Sequence, residues 1–334
     1  MPFLGVEPQS SEVRRERVAV GQFADGSPVV VPVVAIRGAA DGPTAYLQAG
    51  IHGDEVTGIE VCRRVMASLD PEEVRGTVVA VPIGNVPAYL NRSRSFLDEE
   101  RGPIDMNRVF PGDPSGLLTE RIAWTLVDEF LRPADYAVDF HSALAGCAIA
   151  PCAYVSGAEG HPVRQVQQQL AEAFGLGLIC LQEGTTEFGH SNLTRSFCAT
   201  AERAGVPAII AEMGESGRIT AGVVERGVAG ARRALAALGN LVPDGAPPPP
   251  SVRFRAIAFV HAERGGLVNH AVALGDRVEE GDVLGMVVDP VGGEETPVVS
   301  PVAGIVLRLL KLGTCHVGAE LVWVAHDLAE GVGR

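Results

Sequence analysis

Apolar and polar positions follow two textures along this chain, and the change between them divides it. In the first texture, short apolar strands take turns with amphipathic helical stretches. Residues 16–36 read as two short strands around a turn at Ala24-Asp25-Gly26-Ser27. Thr44–Ala49 is an apolar strand that runs into a turn containing His52. Asp54 offers an N-cap for a helix from about Glu55 to Leu69, which Pro71 ends. Thr77–Ile83 is β-branched and apolar, as a buried parallel strand should be. A polar, arginine-bearing stretch follows from Asn91 to Arg101. The pattern then predicts a helix over Thr119–Phe130, a strand over Tyr136–Phe140 ending at His141, helices over 163–174 and 196–204, a strand over Ala208–Glu212 and a helix over 222–238. This alternation predicts an α/β fold on a mainly parallel mixed sheet, with helices on both faces.

Residues Pro243–Pro250 (PDGAPPPP) read as a stiff linker. Beyond it, residues 251–327 show short Val/Leu runs broken by turns at Gly275-Asp276, Gly281-Asp282 and Gly292-Gly293, the texture of an all-β unit. The expected organisation is a catalytic α/β domain over 1–243, a linker over 244–250 and a smaller all-β domain over 251–334.

Composition narrows the function. Apolar residues make up 46% and charged residues 20% of the 334, which suits a core-forming globular chain. A formal net charge of −14 argues against nucleic acid as a partner. Lys311 is the only lysine, so lysine-based covalent catalysis is excluded everywhere else. The first residues carry no apolar signal core and the chain has no run long enough to span a membrane, so a cytoplasmic protein is expected. The six cysteines are scattered without a CxxC pair and are expected to be reduced. A homo-oligomer is compatible with the sequence.

Ligands of open α/β sheets bind at the carboxyl ends of the strands. His52, His141 and Glu212 each fall at or just past such an end. His52 and Glu55, three residues apart, would face one side of a nascent helix. With His141 they make a three-ligand metal set that leaves a position for water. Asp139 lies on the same strand face as His141 and can orient it. Glu212 is the candidate carboxylate for accepting a proton from water, with Glu215 as the fallback. Asn107 and Arg108 suit a substrate carboxylate, which the guanidinium fork matches bidentately. His190 either lines the pocket or lies on the surface.

The segments GIHGDE (50–55), DMNRVFPG (105–112), DFHS (139–142) and AEMGESG (211–217), in this order, resemble the succinylglutamate desuccinylase/aspartoacylase family of the zinc carboxypeptidase fold group. The resemblance spans roughly residues 40–240. It implies one zinc ion per chain on His52, Glu55 and His141, with Glu212 as general base and Asn107 and Arg108 as the carboxylate-binding pair. It also implies an upstream arginine that stabilises the developing oxyanion. Arg94 and Arg101 both compete for that role, because LDEERGPID is longer than the usual spacing. The implied activity is hydrolysis of the amide of a small N-acyl amino acid. N-acetyl is the first choice over succinyl, on the absence of an obvious additional Lys/Arg cluster for a second carboxylate. A metallocarboxypeptidase acting on peptides would use the same metal chemistry. A third reading is a non-catalytic carrier, because LGDRVEEGDVLGMV and PVVSPVAGIVLRLL are similar to the biotinyl/lipoyl hammerhead. The corresponding hairpin tip, near Asp289–Glu294, has no lysine to modify, which counts against that reading.

Overall fold

The computed structural model describes residues 12–182, 187–188, 191–243 and 245–330. Alternation builds its first hairpin. β1 (Glu12–Gln22) and β2 (Pro28–Arg37) pair antiparallel, and in β2 the side chains of Val29, Val31, Val33 and Ala35 are buried while their neighbours Val30, Pro32 and Val34 are partly exposed. β3 (Ala40–Ala49) is followed by α1 (Val56–Ser68), β4 (Arg75–Val81) and α2 (Val86–Asn91). A single 3-10 turn at Met106–Arg108 leads to α3 (Leu118–Thr125), which runs on into a wider helical turn over Leu126–Leu131. Next come β5 (Tyr136–His141), β6 (Cys147–Val155), α4 (Pro162–Phe174) and β7 (Leu178–Leu181). The short pair β8 (Glu187–Phe188) and β9 (Ser191–Asn192) precedes α5 (Phe197–Arg203), β10 (Ala208–Glu215) and α6 (Ala221–Ala237). After the proline-rich stretch the chain is all β: β11 (Val252–His261), β12 (Gly266–His270), β13 (Arg277–Val278), β14 (Val283–Val288), β15 (Glu295–Val299), β16 (Gly304–Leu310), β17 (Thr314–Cys315) and β18 (Glu320–Glu330).

Twelve strands form one sheet in the order β1-β2-β4-β3-β5-β10-β6-β7-β11-β18-β16-β13. The expectation of a mainly parallel sheet is corrected here, because the sheet is mixed. Parallel pairing is confined to β4–β3–β5–β10 and β6–β7–β11. Connection length explains the difference. β4 and β7 return parallel through α1 and α4, whereas the tight β1–β2 turn and the short link from β5 to β6 send the chain back antiparallel. Helices cover both faces. α1, α4 and α6 bury Val61, Val65, Phe174 and Leu235 on one side, and α3 and α5 bury Ile122 and Phe197 on the other.

The strands beyond the linker share the sheet of those before it. β11 pairs with β7 and β16 with β6, so β6, β7, β11, β18 and β16 close into a ring with an apolar cluster that includes Cys152, Phe254, Leu309 and Val322. A second sheet, β15-β14-β12-β17, adjoins it. The β14–β15 turn at Asp289–Glu294 is exposed, and Lys311 lies exposed just past β16. The six cysteines are free, five of them buried. Among the described residues no helix is long and apolar enough to cross a membrane.

Candidate metal centre and active site

β3, β5 and β10 end side by side, and the loop leaving β3 is shaped by its glycines. Gly50 has φ +63°, which turns the chain out of the strand. Gly53 packs against the backbone of α2, where a Cβ would come within 2.1 Å of the Ala88 carbonyl carbon. Fully buried Asn85 fastens this loop. Its Nδ2 donates to the Ile51 carbonyl (3.3 Å), and its Oδ1 accepts from the Ala88 N–H (3.2 Å) in α2.

His52 and Glu55 therefore sit in a turn and not on a helix face. α1 begins only at Val56, and the Glu55 N–H donates to the His52 carbonyl at 3.2 Å. Asp54 does not cap α1, as the local pattern suggested. Its Oδ2 accepts from Ser216 Oγ (2.9 Å) and its carbonyl from the Gly217 N–H (2.7 Å), tying the loop to the segment after β10.

His52, Glu55 and His141 are buried, and their ligand atoms lie within 4.8 Å of one another. His52 Nδ1 is 2.8 Å from Glu55 Oε1, and His141 Nδ1 is 2.9 Å from Glu55 Oε2. Each imidazole keeps its other nitrogen on an aspartate: His52 Nε2 is 3.0 Å from Asp105, and His141 Nε2 is 2.9 Å from Asp139. Two imidazoles and a carboxylate are a donor set that a divalent metal ion accepts, and the aspartates behind the rings can orient them. The electrostatics agree. Burial favours the neutral Glu55 carboxyl, but the two imidazoles outweigh it and hold the group below the ordinary carboxylate range. Burial likewise disfavours a charged His141, yet Asp139 and Glu55 keep its pKa well above the usual imidazole value. The cluster thus demands positive charge, which a proton or a metal ion can supply.

Two residues behind the cluster escaped the sequence reading. Tyr46 Oη donates to Gln48 Oε1 (2.7 Å), and Gln48 Nε2 donates to Asp139 Oδ1 (3.3 Å). All three side chains are fully buried. Their signal in the sequence is two polar-tipped residues, Tyr46 and Gln48, two apart in an otherwise apolar strand. Asp105, which heads the DMNR segment, was the other omission.

Glu212 lies on β10 in register with His141 on β5. The pairing of β10 with β6 shifts register just after Glu212, a bulge at the mouth of the site. Burial, partly opposed by His141 and reinforced by Glu55, pushes the Glu212 carboxyl up to about 7. Glu215 is spent on a pair with Arg218 at 3.1 Å.

Arg94 is in contact with the cluster. Its Nη1 donates to Glu55 Oε1 (3.1 Å), and its Nε and Nη2 donate to Asp105 Oδ2 (3.1 and 3.0 Å). Arg101 is exposed in a turn and does not line the cavity. Asn107 Oδ1 accepts from the Phe197 N–H (2.8 Å) at the start of α5, which leaves its amide NH2 for a ligand. Arg108, beside it, is partly buried. His190 lies outside the described residues.

The three candidate ligands, Glu212, Arg94, Asn107 and Arg108 share one cavity of about 230 Å³. Phe259, Arg308, Glu320 and Trp323, from beyond the linker, line it as well. Nothing in the local sequence announced these four.

An α/β sheet whose strand ends gather a His–Glu–His cluster beside a carboxylate and a guanidinium has the layout of a hydrolytic metal site. Residues 41–238 match the succinylglutamate desuccinylase/aspartoacylase catalytic domain, and the chain belongs to that family. It is 31% identical over 286 residues to the N-alpha-acetyl-L-2,4-diaminobutyric acid deacetylase of Halomonas elongata, covering 81% of this chain and 77% of that one. It is 29% identical over 171 residues to the succinylglutamate desuccinylase of Pseudomonas paraeruginosa, 48% of each chain. Its fold superposes on the product-bound ectoine utilization protein EutE (DoeB) of Ruegeria pomeroyi with a TM-score of 0.84 and 26% identity, covering 96% of this chain and 97% of that one. The relatives are deacylases of small N-acyl amino acids, and the α/β fold with its C-terminal β domain is that of the family's solved structures.

Proposed function

We propose that this protein is a zinc-dependent deacylase that hydrolyses the amide of an N-acyl amino acid, with acetyl as the first-choice acyl group. The observation that carries the reading is Glu212 in register with His141, facing the His52–Glu55–His141 cluster across one small cavity. The deacetylase and desuccinylase relatives support the acyl-amino-acid class.

A zinc ion on the three ligands would supply Lewis acidity and lower the pKa of a water to about 7. Glu212 takes the proton from the attacking water and passes it to the leaving nitrogen. Arg94, fixed by Glu55 and Asp105, presents positive charge to the carbonyl oxygen as negative charge develops there. Asn107 and Arg108 hold the carboxylate of the amino-acid part. Residues 1–243 carry this chemistry, and residues 251–334 contribute a wall of the cavity. A cavity of about 230 Å³ suits a single amino-acid derivative better than a peptide, which is the argument against a carboxypeptidase.

The test is product release from N-acetyl, N-succinyl and N-formyl amino acids and from short peptides, using zinc-loaded protein. Free amino acid from the N-acetyl series is expected. Cleavage of peptides alone would overturn the reading.

A further inference from the structure

Three strands of the C-terminal region and one of the N-terminal region set a row of side chains along the cavity. Phe259 on β11 is in register with Trp323 on β18, Trp323 with Arg308 on β16, and Arg308 with Ile149 on β6. All four line the cavity. Phe259 meets the Trp323 ring edge-on with centroids 5.1 Å apart, and the Arg308 guanidinium carbon lies 4.0 Å from the centroid of Trp323.

Glu320, three residues before Trp323, is held by this row. Trp323 Nε1 donates to Glu320 Oε2 at 2.7 Å, and Arg308 Nη2 lies 3.3 Å from the same oxygen. Both contacts use Oε2, so Oε1 is the oxygen left for a ligand. The Arg308 side chain is only 5% exposed and that of Glu320 is 30% exposed, so the carboxylate is the more accessible of the two charges on this wall. Two guanidinium nitrogens of Arg308, Nε and Nη1, are buried without a hydrogen-bond partner.

We infer that Glu320, positioned by Arg308 and Trp323, binds a positively charged group on the substrate's side chain. An ionised carboxylate only accepts hydrogen bonds, so the ligand group that meets it must donate. Arg94 and Arg108 supply the positive side of the cavity and suit the carbonyl and carboxylate of an N-acyl amino acid. Glu320 comes from a separate strand of the same cavity and suits the one remaining end, the side chain. A side-chain ammonium both donates and carries the complementary charge. The inference rests on the deacylase reading for which end of the ligand faces the metal cluster.

Two measurements test it. In the first, kcat/KM is compared for N-alpha-acetyl-2,4-diaminobutyrate, neutral N-acetyl-2-aminobutyrate and anionic N-acetylglutamate, in zinc-loaded wild type and in Glu320→Gln. The wild type is expected to favour the cationic substrate by on the order of tenfold to a hundredfold, the worth of a hydrogen bond between charged groups. Glu320→Gln should erase that preference, mainly through a higher KM for the cationic substrate. A preference for the anionic substrate, or a cationic preference that survives in Glu320→Gln, overturns the inference. In the second, calorimetry compares binding of 2,4-diaminobutyrate and 2-aminobutyrate to the same two proteins. This discrimination needs no turnover, so it separates a failure of the Glu320 assignment from a failure of the deacylase reading. Equal binding of the two amino acids by wild type would overturn it.

Discussion

Glu212 and His141 face each other in register on neighbouring parallel strands, β10 and β5. Strand pairing, a backbone property, therefore sets the separation between the proposed base and one proposed metal ligand. Replacing Glu212 by Gln keeps the shape and the pairing and removes only proton acceptance. Glu212→Gln should bind metal with wild-type stoichiometry and lose turnover by roughly 10²–10⁴-fold, the usual worth of a general base. Metal analysis alongside steady-state rates reads both, and near-normal turnover would rule Glu212 out as the base.

The string Tyr46–Gln48–Asp139–His141 positions one imaginary corner of the metal set, the His141 ring. Gln48→Leu removes the donor to Asp139 without touching a ligand. Affinity for zinc, read by chelator competition, is expected to fall by about 10–100-fold. An unchanged affinity would mean that packing alone orients His141.

The raised Glu212 pKa has two consequences of known sign. A base must be ionised to act, so kcat/KM should fall as pH drops, with an acidic limb at or below about 7, since a bound cation favours the charged form. In metal-free protein the folded carboxyl holds its proton more tightly than the unfolded one. Its contribution to stability is therefore present below the ordinary carboxylate range and lost as pH rises through about 7. Thermal melts of metal-free protein should show wild type losing stability relative to Glu212→Gln as pH rises across that window. Parallel pH profiles for the two proteins would remove the assignment.

Arg94 and Arg101 make opposite expectations. Arg94 bonds Glu55 and Asp105 inside the cavity, whereas Arg101 is exposed in a turn. Arg94→Ala should lower kcat by about 10²–10³-fold, as loss of an oxyanion partner does. Arg101→Ala should stay close to wild type, and kcat values reversed between the two variants would transfer the role to Arg101.

Ligand removal should register in stability as well as in activity. A chelator is expected to lower the melting temperature of wild type, because an ion bound only by the folded state stabilises it by mass action. His52→Ala should melt near the metal-free wild type and no longer respond to zinc. A zinc response that persists in His52→Ala would remove His52 from the ligand set.

Much of the catalytic edge was legible because short, largely apolar runs end abruptly at chemistry-bearing residues. The strands carrying Thr44–Ala49, Tyr136–Phe140 and Ala208–Glu212 read clearly, and each delivers a site residue. β6 did not, because CAIAPCAYV is built of small residues around Pro151, which carry weak strand preference. Asp54 reads as a helix cap to any local rule, but Ser216 and Gly217 claim it from far along the chain. The parallel character was overestimated because hydrophobic texture does not report strand direction: β10 and β11 follow helices yet run antiparallel to β7 and β10 respectively.

What the sequence determined by itself is the set of groups available for chemistry and the strand ends that bear them, because hydrophobic period and turn residues act over a few positions. What only the tertiary structure decided is which charges share a cavity. Arg94 joins Glu55 and Asp105 while Arg101 does not, and Arg308, Glu320 and Trp323 reach the same cavity through pairing of β16 with β6. Such pairing follows from strand register and ring closure between distant segments, and no short-range pattern encodes either.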